Sequence, residues 1–214
     1  MPKPIFSYIA EIADSSPKDS IFTCIEIGAC DGFHSQILSS ILRMYTNKFL
    51  MHSFEPVESL YPVWKQWCAN HLNHIKFFNK VVGCVDGVVP FFVSSGKDYY
   101  GSSSIRAPKL VISAFPEMKF SNTTVQSTRL DTHCKNNSIY TIDFIWMDVQ
   151  GAERDVFEGA NDILRRTRYI YTEYVNAEHY EGEYTLPQLL LQLGDNWVIV
   201  EDYGGDVLLK NTAF

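Results

Sequence analysis

A short run of glycines and acidic residues near the start of the chain has the composition of a ligand-binding turn. Positions 24–32 read CIEIGACDG, so an apolar stretch that contains Glu26 ends in Gly28 and Gly32. Glycine permits unusual backbone angles and lets a ligand approach the main chain closely. Carboxylates further along the chain, at Glu55 and Asp148, can attract a cation, accept hydroxyl protons or act as a general base. These residues together predict a site for a small polar ligand.

The elements around this turn are those of a nucleotide-type site. Residues 21–27 are rich in β-branched and aromatic types and predict a strand, whereas residues 34–45 have apolar positions at helical spacing. A strand, a glycine turn and a helix open such a site at the carboxyl edge of a parallel sheet. The dinucleotide fingerprint would require glycine where Cys30 and Phe33 stand, and no Gly-Lys-Ser or Gly-Lys-Thr follows. The spacing therefore disfavours both a nicotinamide oxidoreductase and a phosphate-binding loop.

Acidic residues at the ends of the first two predicted strands favour a cationic ligand. Glu26 would repel phosphate and attract positive charge. Glu55 follows the second predicted strand, residues 49–54, close to the roughly 20-residue offset at which an acid meets ribose hydroxyls in such folds. S-adenosylmethionine satisfies both demands, because it has a sulfonium, an ammonium and a ribose diol but no phosphate. The alternative is that Glu55 is an ordinary charged strand end.

Composition bounds the class of protein. The length of 214 residues predicts a single domain, 1–214. A net charge of −7, with the one basic cluster at a predicted helix end, disfavours binding to nucleic acid. Five scattered cysteines without a Cys-x-x-Cys pair disfavour disulfides and zinc and indicate a reducing compartment. Without a signal peptide or a membrane-length apolar run, we expect a cytoplasmic protein with no membrane partner. The oligomeric state stays open.

Alternating strand and helix patterns predict an α/β fold with helices on both faces of a mostly parallel, seven-stranded sheet. The predicted strands are residues 21–27, 49–54, 75–82, 142–149, 169–174, 197–200 and 207–209. The predicted helices are residues 5–13, within an N-terminal segment of residues 1–19, and residues 34–45, 59–72, 152–165 and 186–193. The last two strands flank Gly204 and Gly205, which predicts an antiparallel hairpin at the edge of the sheet.

Residues 86–134 interrupt this alternation. Strand patterns at 88–94 and 123–129 flank a long segment that is rich in Ser, Tyr, Lys and Pro. Long irregular segments in compact domains are usually binding loops, lids or disordered segments. We therefore expect the inserted strands and their loop to cover the substrate as a lid.

Six blocks of the sequence occur in a recognisable order: EIGACDG at 26–32, FEP at 54–56, GSSS at 101–104, TRLD at 128–131, DFIWMDVQGAE at 143–153, and Glu173. This order resembles FkbM-type methyltransferases, and the likeness extends from about residue 21 to residue 211. The resemblance implies a Rossmann-like class I methyltransferase fold, S-adenosylmethionine as methyl donor, and a hydroxyl acceptor on a sugar or secondary metabolite. One position departs from the family pattern, because Trp146 stands where the family usually carries Lys.

The glycine turn, the strand ends and the resemblance together predict the cofactor site. Its predicted members are Glu26, Gly28, Ala29, Cys30, Asp31, Gly32, Glu55, Pro56, Val82, Ser104, Asp148 and Val149. Val82 ends the third predicted strand, where an adenine edge would be read, and the alternative is a plain strand exit. Cys30 has the alternative role of a small space-filling residue, and Ser104 that of a residue in a flexible loop.

Methyl transfer requires alignment, exclusion of water and, for an alcohol, a general base. Predicted catalytic residues are Asp148, Glu173 and His179, and predicted substrate-binding residues are Ser103, Trp146, Gln150, Glu153, Glu173 and His179. Asp148 is alternatively a helix N-cap, and Glu153 an acid that the helix dipole stabilises regardless of function. His179 is alternatively a surface residue, and His34 is interpreted as a helix-start residue that at most faces the amino-acid end of the cofactor. The lack of a His-x-x-x-His spacing predicts no metal.

These observations predict an S-adenosylmethionine-dependent methyltransferase, most simply an O-methyltransferase of a small hydroxylated molecule or sugar. The alternative is a binding protein that keeps the methyltransferase fold without turnover, which the departure at Trp146 motivates. The sequence leaves open which molecule accepts the methyl group, and whether the acceptor atom is oxygen or nitrogen.

Overall fold

Ten strands form two sheets in the computed structural model, which describes residues 2–96 and 100–214. The strands are β1 (Phe22–Ile27), β2 (Phe49–Phe54), β3 (Ile75–Phe78), β4 (Val81–Val82), β5 (Gly87–Ser95), β6 (Lys119–Thr128), β7 (Ile142–Met147), β8 (Thr167–Glu173), β9 (Trp197–Asp202) and β10 (Asp206–Asn211). The main sheet has seven strands in the order β3-β2-β1-β7-β8-β10-β9. Strands β4, β6 and β5 form the second, smaller sheet.

Parallel pairing dominates the main sheet. Neighbouring strands are parallel along the series β3, β2, β1, β7 and β8. Strand β10 pairs antiparallel with both β8 and β9. Every residue of β1 is buried, as expected for a central parallel strand whose two faces are both covered by helices. The predicted α/β fold, with seven strands and an antiparallel C-terminal hairpin, is confirmed.

Helices cover both faces of the main sheet and divide its core into two apolar clusters. The helices are α1 (Ile5–Asp14), α2 (Phe33–Tyr45), α3 (Tyr61–Trp67), α4 (Leu110–Ala114), α5 (Leu130–Asn136), α6 (Glu153–Glu158) and α7 (Leu186–Leu193). Side chains of α1, α2 and α3 pack with Phe144 and Trp146 of β7. Those of α5, α6 and α7 pack with Ile145 and Met147 of the same strand. The alternation along β7 therefore sends successive side chains to opposite helix layers.

Several predicted boundaries were wrong. The predicted strand 75–82 divides into β3 and β4, and the side-chain amide of Asn79 at the break donates to the carbonyl of Glu55 (2.9 Å). The predicted helix 152–165 is limited to Glu153–Glu158, and the chain packs so closely after it that a Cβ on Gly159 would lie 1.9 Å from the carbonyl oxygen of Gly83. The predicted helix 59–72 is a 3-10 turn, Glu58–Leu60, followed by the short α3. Helices α4 and α5 were not predicted.

The segment 86–134 contains the antiparallel pair β5 and β6, which joins β4 to form the second sheet. The predicted lid also includes residues 97–99, which lie outside the described residues. No helix in the described part of the chain has the length and apolar content to cross a bilayer.

Candidate active site

The glycine turn after β1 brings two strand ends into backbone contact. The amides of Gly28 and Ala29 donate to the carbonyl of Phe54 at the end of β2 (3.0 and 2.9 Å), and the amide of Asp148 donates to the carbonyl of Ile27 (3.0 Å). Gly28 has a φ of 87°, and a Cβ at this position would lie 1.8 Å from the carbonyl oxygen of Asp148. Only glycine therefore allows the ends of β1 and β7 to approach this closely.

A cavity of about 390 Å³ opens at this carboxyl edge of the main sheet. It collects eleven of the predicted site residues, namely Gly28, Ala29, Cys30, Asp31, Glu55, Pro56, Val82, Ser103, Ser104, Asp148 and Val149. The remaining lining comes from Ile27, Phe33, His34, Phe54, Lys80, Val81, Phe91, Tyr100, Gly101, Ile105 and Ala152. Among the described residues, the segment 86–134 supplies six of the 22 that line the cavity, so it contributes a wall of the same cavity as the glycine turn.

Glu55 joins the end of β2 to the glycine turn. One carboxylate oxygen accepts from the amide of Cys30 (2.9 Å), and the other accepts from the amide of Val57 (2.8 Å). Burial raises the pKa of Glu55 to about 7, although the two amide hydrogen bonds oppose this shift. The carboxylate is thereby fixed in position at the wall of the cavity, and each oxygen retains a lone pair for a ligand.

Glu26 occupies a different place from Glu55. It is fully buried and does not line the cavity, and its carboxylate accepts a hydrogen bond of 2.5 Å from the hydroxyl of Ser35 in α2. The indole of Trp64 donates to the same hydroxyl (2.9 Å). Burial raises the pKa of Glu26 to about 7. Gly32 also lies outside the lining, where it begins α2 with a φ of 91°.

Asp148, Gln150 and Glu173 form a connected group just beyond β7 and β8. The side-chain amide of Gln150 donates to Asp148 (2.7 Å) and to Glu173 (3.0 Å). Asp148 is open to the cavity but otherwise surrounded by protein, and this burial raises its pKa. Burial and the neighbouring Asp148 charge raise the pKa of Glu173. Both carboxyl groups accept from the same side-chain amide, and the charge of Asp148 disfavours ionisation of Glu173.

Glu153, Trp146 and His179 do not line the cavity. Glu153 is 3% exposed, and burial raises its pKa to about 8. Trp146 is 4% exposed and packs in the core between α1 and the sheet. His179 forms hydrogen bonds through its main chain. Its amide donates to the carboxylate of Glu183 (2.8 Å), and its carbonyl accepts from the amide of Lys109 (2.8 Å).

Gln150 and Glu173 also stand outside the lining, and they reach the cavity through Asp148. Gln150 has a φ of 52°, an uncommon angle for a residue with a side chain. Such angles concentrate at functional sites, where the surrounding structure enforces them. No pattern in the sequence indicates this strained backbone conformation.

The aromatic and apolar wall of the cavity was not predicted from the sequence, apart from His34, which was expected at most to face the amino-acid end of the cofactor. Phe33 and His34 begin α2, whereas Phe91, Tyr100 and Ile105 come from the segment 86–134. Only the position of Phe33 and His34, directly after the glycine turn, was a usable signal. The other three residues reach the cavity through the packing of the second sheet, which leaves no local pattern.

One grouping of possible metal ligands occurs among the described residues, and it lies away from the cavity. It comprises Cys84, Asp155 and Glu158. Both carboxylate oxygens of Asp155 already accept from the guanidinium of Arg106 (2.6 and 2.5 Å). The ion pair between Arg106 and Asp155 therefore accounts for the position of Asp155 in this grouping.

Comparison with known proteins identifies the family. A match to the family described as the methyltransferase FkbM domain covers residues 26–204, which include the glycine turn, the cavity and the first strand of the C-terminal hairpin. The chain belongs to the FkbM methyltransferase family. The resemblance inferred from the six sequence blocks is confirmed.

A curated methyltransferase is similar over about two thirds of this FkbM chain. It is the 2-O-methyltransferase NoeI of Sinorhizobium fredii, 38% identical over 150 residues, which are 66% of this chain. The match spans 61% of the length of NoeI.

Solved structures share the fold. The FkbM methyltransferase from Methylobacillus flagellatus has a TM-score of 0.55 at 14% identity, and the alignment covers 89% of this chain and 43% of that one. The N-terminal domain of human METTL16, solved in complex with SAH, has a TM-score of 0.54 at 12% identity, with coverage of 100% and 72%. At these identities the likeness supports the methyltransferase fold alone.

Proposed function

We propose that this chain is an S-adenosylmethionine-dependent O-methyltransferase that acts on a small hydroxylated acceptor. The observation that carries the proposal is Glu55, held by two backbone amides at the wall of an open cavity beside the glycine turn. Membership of the FkbM family supports the same activity. When bound there, S-adenosylmethionine supplies an electrophilic methyl group.

The charge of the cavity suits a cationic donor without phosphate. Among its described lining residues, the acidic side chains are Asp31, Glu55 and Asp148, whereas Lys80 is the one lysine or arginine. Glu55 is the residue that would bind the ribose hydroxyls, because its oxygens have lone pairs beyond those used by the two amides. The carboxylates of Asp31 and Asp148 would attract the positive charges of the donor.

The acceptor end of the site is the group of Asp148, Gln150 and Glu173. The pKa of Glu173, raised to about 9, keeps this carboxyl group protonated near neutral pH, and we assign the negative charge to Asp148, which faces the cavity. A charged Asp148 can accept a hydrogen bond from an acceptor hydroxyl and orient its oxygen. The apolar Phe33, Phe91 and Ile105 help to exclude water from the reacting atoms.

The expected acceptor is a small molecule or a sugar, and oxygen is the expected atom. Support comes from the similarity to NoeI, a 2-O-methyltransferase. The net charge of −7 supports an acceptor other than nucleic acid. A cytoplasmic location, a lid function for residues 86–134 and a role for His179 remain predictions.

The alternative function, a silent binding protein that keeps the methyltransferase fold without turnover, loses its main support. It was motivated by Trp146, but this side chain lies in the core and does not fill the cavity. A silent protein would bind S-adenosylmethionine and release no product, so a turnover assay distinguishes the two functions.

Calorimetry with S-adenosylhomocysteine tests the cofactor site. Glu55→Gln should weaken binding about tenfold or more, because a carboxylate that accepts two hydrogen bonds is worth about 1.5–3 kcal/mol per bond. Glu58→Gln, at an exposed position three residues away, is the matched control and should bind as the wild type does. Absence of binding by the wild type, or equal binding by Glu55→Gln, would contradict the proposed site.

Turnover is then measured as release of S-adenosylhomocysteine with a panel of methyl pyranosides. Product that depends on the acceptor and falls at least tenfold in Asp148→Asn would support the proposed activity. Tight cofactor binding without acceptor-dependent product would favour the silent alternative.

A further inference from the structure

We infer that His34 is the catalytic residue that takes the acceptor proton and that Trp146 is a positioning residue for its ring. This inference rests on the proposed O-methyl transfer and goes beyond it, because it assigns the proton to a residue that neither the motif nor the family match singles out.

His34 stands where a proton acceptor is needed. It is the second residue of α2, directly after the glycine turn, and its side chain lines the cavity together with Asp148. It is partly buried, so the imidazole is protected but accessible from the cavity. No described residue of the chain hydrogen-bonds to its ring nitrogens. Both nitrogens are therefore available to a bound molecule.

Aromatic packing fixes the ring of His34 without using its nitrogens. Its centroid lies 4.7 Å from that of Trp146 and 5.4 Å from that of Phe33. Trp146 is itself held between Phe6 of α1, at 5.9 Å and nearly parallel, and Tyr171 of β8, at 4.4 Å. The orientation of the base is thus determined by a stack of rings that reaches from α1 to the sheet.

The surroundings keep His34 neutral and ready to accept a proton. Burial lowers its pKa below the ordinary value, and the N-terminal turn of a helix also disfavours positive charge. The carboxylates of Asp148, at the end of β7, and Asp31, in the glycine turn, act in the opposite direction and raise the pKa. A neutral imidazole that gains stabilisation once protonated is what a general base requires.

Asp148 is suited to stabilise the protonated His34. It accepts from Gln150, and its negative charge raises the pKa of His34. A carboxylate that stabilises an imidazolium is the arrangement of the catalytic triads.

The transfer then balances in atoms and electrons. The acceptor oxygen bonds to the methyl carbon, the methyl–sulfur bond breaks with its electron pair passing to sulfur, and the hydroxyl proton passes to His34. His34 later releases that proton to solvent.

The first test uses the protein without any ligand. In histidine-labelled protein, the NMR signal of His34 is assigned by its loss in His34→Gln, and its pKa is measured in the wild type and in Asp148→Asn. We expect a pKa below 6.5 in the wild type and a still lower one in Asp148→Asn, because a stabilising charge is removed. An unchanged pKa in Asp148→Asn would overturn the coupling between the two residues.

The second test measures methyl transfer to the methyl pyranoside that the wild type uses best. His34→Gln should lower kcat about 10²–10⁴-fold, the usual contribution of a general base, and should change the Kd for S-adenosylhomocysteine less than threefold. The acid limb of the kcat/KM pH profile should also disappear. His74→Gln, at an exposed histidine outside the cavity, is the control and should act as the wild type does. A kcat within threefold of wild type would overturn the role of His34.

The positioning role of Trp146 is tested by two substitutions. Trp146→Phe keeps a ring beside His34 and should retain most of kcat, whereas Trp146→Leu should lower kcat with little change in KM. Thermal melts identify variants that fail to fold, and equal activity of folded Phe and Leu variants would overturn this role. If the wild type releases no S-adenosylhomocysteine with any acceptor, the proposed function itself fails. Activity that survives His34→Gln refutes only the present inference.

Discussion

Substituting Gln for Glu153 should raise the free energy of unfolding at neutral pH. The Glu153 carboxyl group is 3% exposed, and its Oε1 atom has no hydrogen-bond partner in the described structure. Burial raises its pKa from 4.5 to about 8, so the folded chain holds it in the neutral form. The unfolded chain ionises it above about pH 4.5. Folding at pH 7 must therefore bind a proton, which lowers stability as the pH rises.

The size of this effect follows from proton linkage. Because the folded pKa lies above the unfolded one, the penalty grows by roughly 1.4 kcal/mol per pH unit between the two values. It amounts to about 1 kcal/mol at pH 5 and about 3 kcal/mol at pH 7. Glu153→Gln is neutral at every pH and nearly the same size, so the variant should escape most of this penalty.

Urea unfolding at pH 5, 6 and 7 measures the prediction. The stability gained by Glu153→Gln should increase with pH, by about 2 kcal/mol over this range. Glu158→Gln, an exposed position in the same helix, is the control and should show no such trend. A gain that is constant or decreases with pH would refute a neutral Glu153. A raised KM for the acceptor in Glu153→Gln would instead support the substrate-binding role predicted from the sequence.

Two further predictions concern the framework of the site. Gly28→Ala should lose more than about 3 kcal/mol of unfolding free energy or fail to fold, because its Cβ would overlap the carbonyl of Asp148. Gly87→Ala, with a φ of 122° but open space around it, should lose only about 1–2 kcal/mol, and equal losses measured by urea unfolding would contradict the overlap argument. Burial lowers the pKa of His52 and of His133, which hydrogen-bond each other at 2.8 Å, to about 4. The wild type should therefore lose stability relative to His133→Gln by roughly 1.4 kcal/mol per pH unit as the pH falls from 6 to 4.5, and a flat difference would contradict this.

Residues at strand ends were predictable from the sequence. Glu55 and Asp148 each follow the last residue of a parallel strand, and the carboxyl ends of such strands meet at one edge of the sheet. The position of the turn between β1 and α2 was also predictable, because the local spacing of its glycines indicates a turn. These residues are among those that line the cavity.

The side-chain positions of residues just before the last residue of a strand were predicted less well. Glu26 and Trp146 are each the second-last residue of their strand, and they are partners in the register of β1 and β7. Side chains at such positions point into the layer of α1 and α2 and not over the edge of the sheet. Their polarity and size do not reveal this direction, whereas the register does.

Contacts between segments that are distant in the chain could not be predicted from the sequence. The wall formed by Phe91, Tyr100 and Ile105 depends on the pairing of β5 with β6 and on the position of the second sheet. His34 acquires its setting from Trp146, which is more than 100 residues away in the chain. No periodicity or spacing in the sequence predicts such a long-range contact.

The tight fit of Gly28 against the main chain of Asp148 limits which parts of the proposed active site can change. The glycine turn and the backbone that carries Asp148 form the floor of the cavity, and any side chain at position 28 would collide with the carbonyl oxygen of Asp148. New acceptor preferences are therefore more accessible through the wall built by residues 86–134 than through the floor. Directed evolution of this chain should accumulate its useful changes in that wall.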